Sequence, residues 1–318
     1  MHDLFSVLSL LPLTILYNSC FVHAHGYVSK VSIDGKIYIG NVPNASPTPA
    51  IVRQINNVAP VKNSTNPYLN CGQAAQLAAL VADANPGSQF QFWWNGGDGS
   101  PWPHNTGPLM TYMASCVNTT CDQYDSTNAM WFKIMETGLQ PGNMTWYQQN
   151  LMDGSPTNVT IPSDLAPGQY LIRHEIIALH LATQLGGAEF YPSCTQVNIL
   201  GNQTGTPTSN EEVTFPGGYS DTDPGIYDPT VFNTPVQYTF PGPPVATLVT
   251  DGSSPSSAGT PTSSYPSSIP SSGTSTNPAP SSTSSLLCKL SSQQPFSLKK
   301  RRTRGISRIM VDFFKGFH

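Results

Sequence analysis

Turn-forming residues interrupt the sequence between residues 25 and 251 roughly every ten residues, and the runs between them are short and apolar or alternating. Such runs stand at residues 89–94, 130–134, 169–180 and 194–200. This spacing is typical of an all-β sandwich or barrel. The region of 227 residues is large for one sandwich, so we expect long loops. Only residues 73–84, rich in Ala and Leu, predict a short helix.

The charge content excludes other architectures. Asp, Glu, Lys and Arg make up 10% of the chain, against roughly 25% in ordinary soluble domains. A coiled coil or a charged helical bundle is therefore excluded. The formal net charge of −4 is also unevenly distributed, because residues 25–251 carry six basic and sixteen acidic residues. This acidic balance predicts that the domain has no nucleic-acid partner.

The two ends of the chain differ from its middle. Residues 4–17 form an apolar run of 14, shorter than the ~20 residues that span a bilayer. Val22 and Ala24 provide the small side chains that signal peptidase accepts. We therefore predict a signal peptide at residues 1–24, a secreted extracellular protein and no membrane attachment.

Three further segments follow the predicted cleavage site. Residues 25–251 form the predicted globular domain. Residues 252–285 contain 15 Ser, 5 Thr and 6 Pro without any charge, the composition of an O-glycosylated linker. Residues 286–318 carry eight of the fourteen basic residues and are predicted to be a disordered tail, with a processing site or a wrongly placed exon end as alternatives.

The predicted domain contains several features of secreted proteins. Six Asn-x-Ser/Thr sequons are candidates for glycosylation: Asn44, Asn63, Asn118, Asn143, Asn158 and Asn202.

Four cysteines remain in the domain, and four can pair in three ways. Cys116 and Cys121 are close enough to close a local loop, which would leave Cys71 and Cys194 for a long-range disulfide. A zinc site built from these cysteines is the alternative.

Histidine provides the signal for chemistry. Cleavage after Ala24 makes His25 the first residue, which then offers its α-amine and a ring nitrogen to one metal ion. The amine must lose a proton to bind, and Cu(II) has the strongest affinity for such nitrogen ligands. His104, on a loop rich in Pro and Gly, would complete a set of three nitrogens.

Several stretches resemble one known family, the fungal lytic polysaccharide monooxygenases of auxiliary-activity family 9, formerly called glycoside hydrolase family 61. They run in order over residues 25 to about 245. The main ones are Ala24-His-Gly-Tyr-Val28, Asn70-Cys-Gly72, His104 in His-x-x-Gly-Pro, Pro167-Gly-Gln-Tyr-Leu-Ile-Arg-His-Glu-Ile-Ile-Ala-Leu-His180, Gly186-Gly-Ala-Glu-Phe-Tyr-Pro-Ser-Cys194 and Phe215-Pro-Gly-Gly-Tyr219.

The resemblance implies a fibronectin- or immunoglobulin-like β-sandwich with one copper ion on a flat surface. His25, through its amine and ring, and His104 would bind the copper, with Tyr191 as the axial oxygen. His180 and Glu189 would lie beside bound oxygen and act in catalysis together with Tyr191. The pairing Cys71–Cys194 and Cys116–Cys121 is implied as well.

The activity implied by the resemblance is a copper-dependent monooxygenase. A monomeric enzyme would take electrons from an external small reductant or redox protein, use oxygen or hydrogen peroxide, and cleave cellulose or a related β-1,4-glucan at carbon 1, carbon 4 or both. The chain has no paired-carboxylate pattern that would suggest hydrolysis. Residues 286–318 contain one cysteine and no Trp or Tyr, so we predict no cellulose-binding module there.

The sequence departs from the family at Glu189, where glutamine is common. Strand alternation predicts that Glu189 lies beside Tyr191. An ionised glutamate only accepts hydrogen bonds, whereas a glutamine amide also donates them. We hypothesise that Glu189 is either protonated by burial or paired with His180. His174 is predicted to be structural.

Alternative functions are a non-catalytic copper- or carbohydrate-binding protein of the same fold, and a secreted copper protein of the superoxide-dismutase kind. The second alternative does not require a histidine at the N-terminus. Three tyrosines in Pro/Gly loops are candidates for stacking on sugar rings: Tyr68, Tyr219 and Tyr227.

Overall fold

A computed structural model of the chain describes residues 25–141 and 145–250. The predicted signal peptide, the linker at residues 252–285, the tail at residues 286–318 and the sequon at Asn143 lie outside these ranges. The other five sequon asparagines are all exposed. No helix in the described ranges has the length and apolar character needed to cross a bilayer.

Strands dominate the described ranges, as the turn spacing predicts. They are β1 (Gly26–Ile33), β2 (Lys36–Ile39), β3 (Ala82–Ala84), β4 (Gln89–Gly96), β5 (Leu109–Ser115), β6 (Trp131–Thr137), β7 (Thr157–Thr160), β8 (Gly168–Ala178), β9 (Glu189–Ile199) and β10 (Glu212–Val213). Each of the four runs predicted to be extended contributes to one strand: β4, β6, β8 and β9. The helical segments are α1 (Gln148–Met152) and two 3-10 turns, Pro67–Leu69 and Ser126–Asn128.

The strands form two sheets, which confirms the predicted β-sandwich. One sheet has the order β2-β1-β4-β7, and the other has the order β10-β6-β5-β8-β9-β3. All pairs are antiparallel except β3 with β9. A first apolar core, with Val31, Phe92 and Ile172, includes residues of both sheets. A second core, with Tyr112 and Phe190, lies on the other face of the six-stranded sheet, which is therefore buried on both faces.

The prediction of a helix at residues 73–84 is wrong. The segment is irregular and ends in β3, which pairs with β9. The backbone N–H groups of Gln76 and Leu80 donate to carbonyls of an earlier loop, at 2.8 and 3.0 Å. The Gln196 side chain on β9 also bonds to the backbone of this segment. Hydrogen bonding along the sheet edge outweighs the weak helix preference of Ala and Leu.

The four cysteines form two disulfides, so the zinc alternative is wrong. Cys116 is bonded to Cys121, and Cys71 is bonded to Cys194 across a sequence separation of 123 residues. Closing so long a loop restricts the unfolded chain, an effect of about 4 to 5 kcal/mol in the chain-entropy model. The long-range disulfide also fixes the loop that ends in the 3-10 turn Pro67–Leu69 against β9.

The outer face of β8 contains a buried ion pair. The two terminal nitrogens of the Arg173 guanidinium, Nη1 and Nη2, donate to the Glu175 carboxylate at 2.8 and 2.6 Å, and neither side chain is exposed. The Tyr219 hydroxyl donates to the same carboxylate at 2.7 Å. Tyr219 is therefore a core residue, and the expectation that it stacks on a sugar is wrong; Tyr68 and Tyr227 are exposed.

The opposite face of β8 contains His174, which is fully buried. Its ring stacks on Phe92 with centroids 4.5 Å apart, and its Nδ1 is hydrogen-bonded to the Thr111 hydroxyl at 2.9 Å. Nε2 is buried without a hydrogen-bond partner. Burial lowers the pKa of His174 to about 3, so the folded protein holds this imidazole neutral.

We expect His174→Gln to make the stability of the protein less dependent on pH in acid. The unfolded chain binds a proton at this histidine below about pH 6.5, while the folded protein does so only near its pKa of about 3. The contribution of neutral His174 to the free energy of unfolding is therefore fully present above about pH 6.5. It is lost as the pH falls, by about 2 to 3 kcal/mol between pH 6.5 and pH 4.5.

Urea unfolding of both proteins across this pH range measures the effect. The variant loses packing at every pH, so its stability is lower throughout. The prediction is therefore tested by the slope of the free energy of unfolding against pH and not by its absolute value. Parallel curves for the wild type and the variant would contradict the prediction.

Candidate metal centre

The end of the β8–β9 pair brings together three of the predicted site residues. Ala178, the last residue of β8, lies opposite Glu189, the first residue of β9. His180 follows β8 by two positions. Glu189 and Tyr191 share one face of β9, and the Tyr191 hydroxyl donates to Glu189 Oε2 at 2.8 Å. The proximity predicted from strand alternation is therefore present.

His104 reaches this end of the sheet from the loop between β4 and β5. The loop is fixed by Trp102, which is fully buried and packs its ring edge-on against Tyr191 (4.7 Å between centroids) and His104 (5.3 Å). A side chain at Gly107 would lie 2.0 Å from the Ile177 carbonyl oxygen, so only glycine permits this approach to β8. This contact explains why glycine stands at position 107.

The ring of His104 stacks on that of His180, with centroids 4.2 Å apart and planes at 14°. His25 precedes β1 directly, and its ring lies 6.3 Å from the Tyr191 ring. The carbonyl oxygen of His25 accepts a hydrogen bond from Gly97 N at 2.9 Å, which ties the start of the domain to the loop after β4. All five predicted site residues therefore surround one location.

The donor atoms fit a transition metal that prefers nitrogen. One ligand atom from each of His104, His180 and Glu189 lies within 4.8 Å of the others. His25 is not part of this group of three; its ring lies 6.3 Å from that of Tyr191, and its α-amine becomes free only when the chain is cut before it. Imidazole and amine nitrogens suit copper above the other common divalent metals, and the oxygen of Tyr191 provides a weaker donor.

Glu189 is paired mainly with Lys62. Lys62 Nζ lies 3.1 Å from Glu189 Oε1, whereas His180 Nε2 lies 3.8 Å from Oε2. Burial raises the pKa of the carboxyl, but hydrogen bonds from Tyr191 and Lys62 and the charge of Lys62 more than offset this, so the pKa lies below its usual range. The first arm of the hypothesis, a Glu189 protonated by burial, is therefore wrong. The second arm, a pairing with His180, is present at 3.8 Å, but the principal partner of Glu189 is Lys62, which no sequence pattern singled out.

Burial also sets the protonation states of His180 and Tyr191. It lowers the pKa of His180, an effect that Glu189 opposes and Lys62 and His25 reinforce, so the imidazole is neutral at neutral pH. Burial and the Glu189 charge raise the pKa of Tyr191, which therefore keeps its hydroxyl proton.

Comparisons with known proteins agree with this geometry. Residues 25–238 match the model of auxiliary activity family 9, formerly GH61. A curated relative from Gloeophyllum trabeum, an AA9 family lytic polysaccharide monooxygenase D, is 56% identical over 230 residues. That match takes in 72% of this chain and 66% of the relative, just under two thirds of its length.

Solved structures share the fold. The extended catalytic domain of an LPMO9A from H. jecorina has a TM-score of 0.63 and 32% identity, covering 72% of this chain and 96% of the other. A protein from M. thermophila described as a cellulose-active polysaccharide monooxygenase has a TM-score of 0.61 and 33% identity, covering 70% and 100%. The chain therefore belongs to auxiliary activity family 9, whose members are copper-dependent lytic polysaccharide monooxygenases.

Proposed function

We propose that this chain is a secreted copper-dependent monooxygenase that cleaves β-1,4-glucan chains such as cellulose. The observation that carries the proposal is the convergence of His25, His104 and Tyr191 at one end of the sandwich. In this proposal the signal peptide ends at residue 24, residues 25–251 form the catalytic domain, and residues 252–285 form a linker to the basic tail. The domain acts as a monomer and has no nucleic-acid or membrane partner.

The copper ion would be held by the His25 amine and ring, the His104 ring and the Tyr191 oxygen. Copper at this site would cycle between Cu(II) and Cu(I) with an external reductant and activate oxygen or hydrogen peroxide to abstract hydrogen from the glucan, at carbon 1, carbon 4 or both. The side chains around it control protons and charge. Tyr191 keeps its hydroxyl proton and donates a hydrogen bond to Glu189. His180 is neutral and can accept a proton at Nε2, which faces Glu189.

Cellulose is favoured as substrate for two reasons. A relative with 33% identity is described as cellulose-active. The domain is also sparsely charged, with six basic and sixteen acidic residues between positions 25 and 251. A neutral polysaccharide is bound through stacking and hydrogen bonds and needs no cluster of basic residues.

We expect the secreted protein to begin at His25 and to bind one Cu(II) ion. A variant with one extra glycine before His25 separates the terminal amine from the histidine ring, so its Cu(II) affinity should fall by about 100-fold or more. N-terminal sequencing identifies the first residue of the secreted protein, and calorimetric titration with Cu(II) measures the number of bound ions and their affinity. An equal extension at the C-terminus is the matched control. A different mature N-terminus, or an unchanged affinity in the extended variant, would refute the proposed ligand set.

We expect copper-loaded protein supplied with ascorbate to release oxidised oligosaccharides from cellulose. Mass spectrometry of the products identifies them and also shows which carbon is oxidised. The His104→Ala variant, which loses one ligand, should release none above the level of free copper. Copper-loaded protein that binds cellulose but yields no oxidised products would instead support the non-catalytic alternative.

A further inference from the structure

Lys62 belongs to the site, although the proposed set of ligands does not include it. Its position is fixed by the backbone, because the preceding residue, Val61, exchanges two hydrogen bonds with Phe190 on β9, at 2.9 and 3.0 Å. This antiparallel bridge places Lys62 next to Glu189. Nζ then donates to the Gly187 carbonyl oxygen at 2.9 Å and contacts Glu189 Oε1 at 3.1 Å.

The two oxygens of Glu189 therefore have different partners. Oε1 contacts Lys62. Oε2 accepts a hydrogen bond from the Tyr191 hydroxyl at 2.8 Å and lies 3.8 Å from His180 Nε2 and 4.0 Å from His104 Nε2. The carboxylate is thus held at both ends, and its side chain is only 8% exposed.

A carboxylate in this position competes with the neutral donors around it for a bound metal ion. Glu189 lies close enough to His104 and His180 for all three to bind one ion. An anionic oxygen without a compensating cation would be drawn towards a bound divalent metal, and its charge would favour Cu(II) over Cu(I). A glutamine at this position would not raise the problem, because its amide is neutral.

We propose that Lys62 is a positioning residue that keeps Glu189 out of the copper ligand set. By binding Oε1 and compensating the negative charge, Lys62 leaves Glu189 as an acceptor for the Tyr191 hydroxyl. This inference rests on the proposed copper site.

A purely structural role for Lys62 makes a different prediction. Its side chain is 36% exposed, but that of Glu189 is only 8% exposed, so removing the lysine leaves a nearly buried carboxylate without its cation. A structural role alone therefore predicts that the metal-free Lys62→Met variant unfolds at a lower temperature than the wild type and that its bound copper is unchanged. The positioning role predicts a change at the metal in addition.

The test uses copper-loaded wild type and the variants Lys62→Met, Lys62→Arg, Glu189→Gln and the double variant Lys62→Met/Glu189→Gln. The readouts are the Cu(II) electron paramagnetic resonance spectrum and the Cu(II) dissociation constant. We expect Lys62→Met to change the spectrum and to tighten Cu(II) binding by about tenfold. Lys62→Arg, which keeps the cation, should restore both properties.

The double variant separates this mechanism from a general effect of lost charge. With Glu189→Gln in place, removing the lysine should alter neither the spectrum nor the affinity. Lys30→Met is the matched control. Lys30 lies on β1, five residues along the chain from His25, and its Nζ lies over the ring of Trp93 on β4, 4.4 Å from the centroid. This variant should behave as the wild type.

Two results would overturn the proposal: a Lys62→Met spectrum and affinity equal to those of the wild type, or the same changes in the presence and absence of Glu189. Both can occur in a protein that binds copper normally, so they leave the proposed function intact. The proposed function would be refuted, and the inference with it, if the wild type bound no copper or if its copper binding were unchanged by loss of the His104 side chain.

Discussion

The antiparallel pairing of β8 with β9 is the interaction on which the rest of the structure depends. Both strands have 11 residues, and their register runs without a shift from Gly168 opposite Ile199 to Ala178 opposite Glu189. Side chains alternate between two buried faces. A slip of one residue would therefore exchange Glu189 and Tyr191 with Phe190 and move the site into the second core. Register and site geometry are set by the same hydrogen bonds.

Each face of this strand pair contains a buried carboxylate, and both are compensated in the same way. Glu175 is bound by one cation, Arg173, and by the Tyr219 hydroxyl. Glu189 has Lys62 and the Tyr191 hydroxyl. A buried carboxylate is costly unless it is paired and hydrogen-bonded. The pairs differ in access, because the first is completely buried while Lys62 is in contact with solvent. Only the second can respond to a ligand at the surface.

Sequence patterns predicted those parts of the protein that depend on local periodicity. Turn spacing gave the sandwich, and the period of two along β9 placed Glu189 beside Tyr191. The helix at residues 73–84 failed because the Gln196 side chain and the edge of the sheet bind that segment in an extended form. Lys62 could not be predicted, since its partner is set by a backbone bridge between residues far apart in sequence. Tyr219 was predicted to be exposed because it lies in a loop rich in Pro and Gly, but that loop covers the second core and buries the side chain.

The position of His25 depends on packing that is remote from its own chemistry. A side chain on Gly26 would lie 2.4 Å from the Asn95 carbonyl oxygen and 3.0 Å from the Trp102 ring, so β1 begins pressed against β4 and the loop that carries His104. Trp102 in turn contacts both His104 and Tyr191. One buried indole therefore holds the three segments that supply the proposed ligands at fixed distances. Ligands that are already oriented lose little conformational freedom when a metal binds, which favours binding. Because this orientation comes from the sandwich core, the folded domain holds the side-chain donors in place, and cleavage before His25 would supply the α-amine.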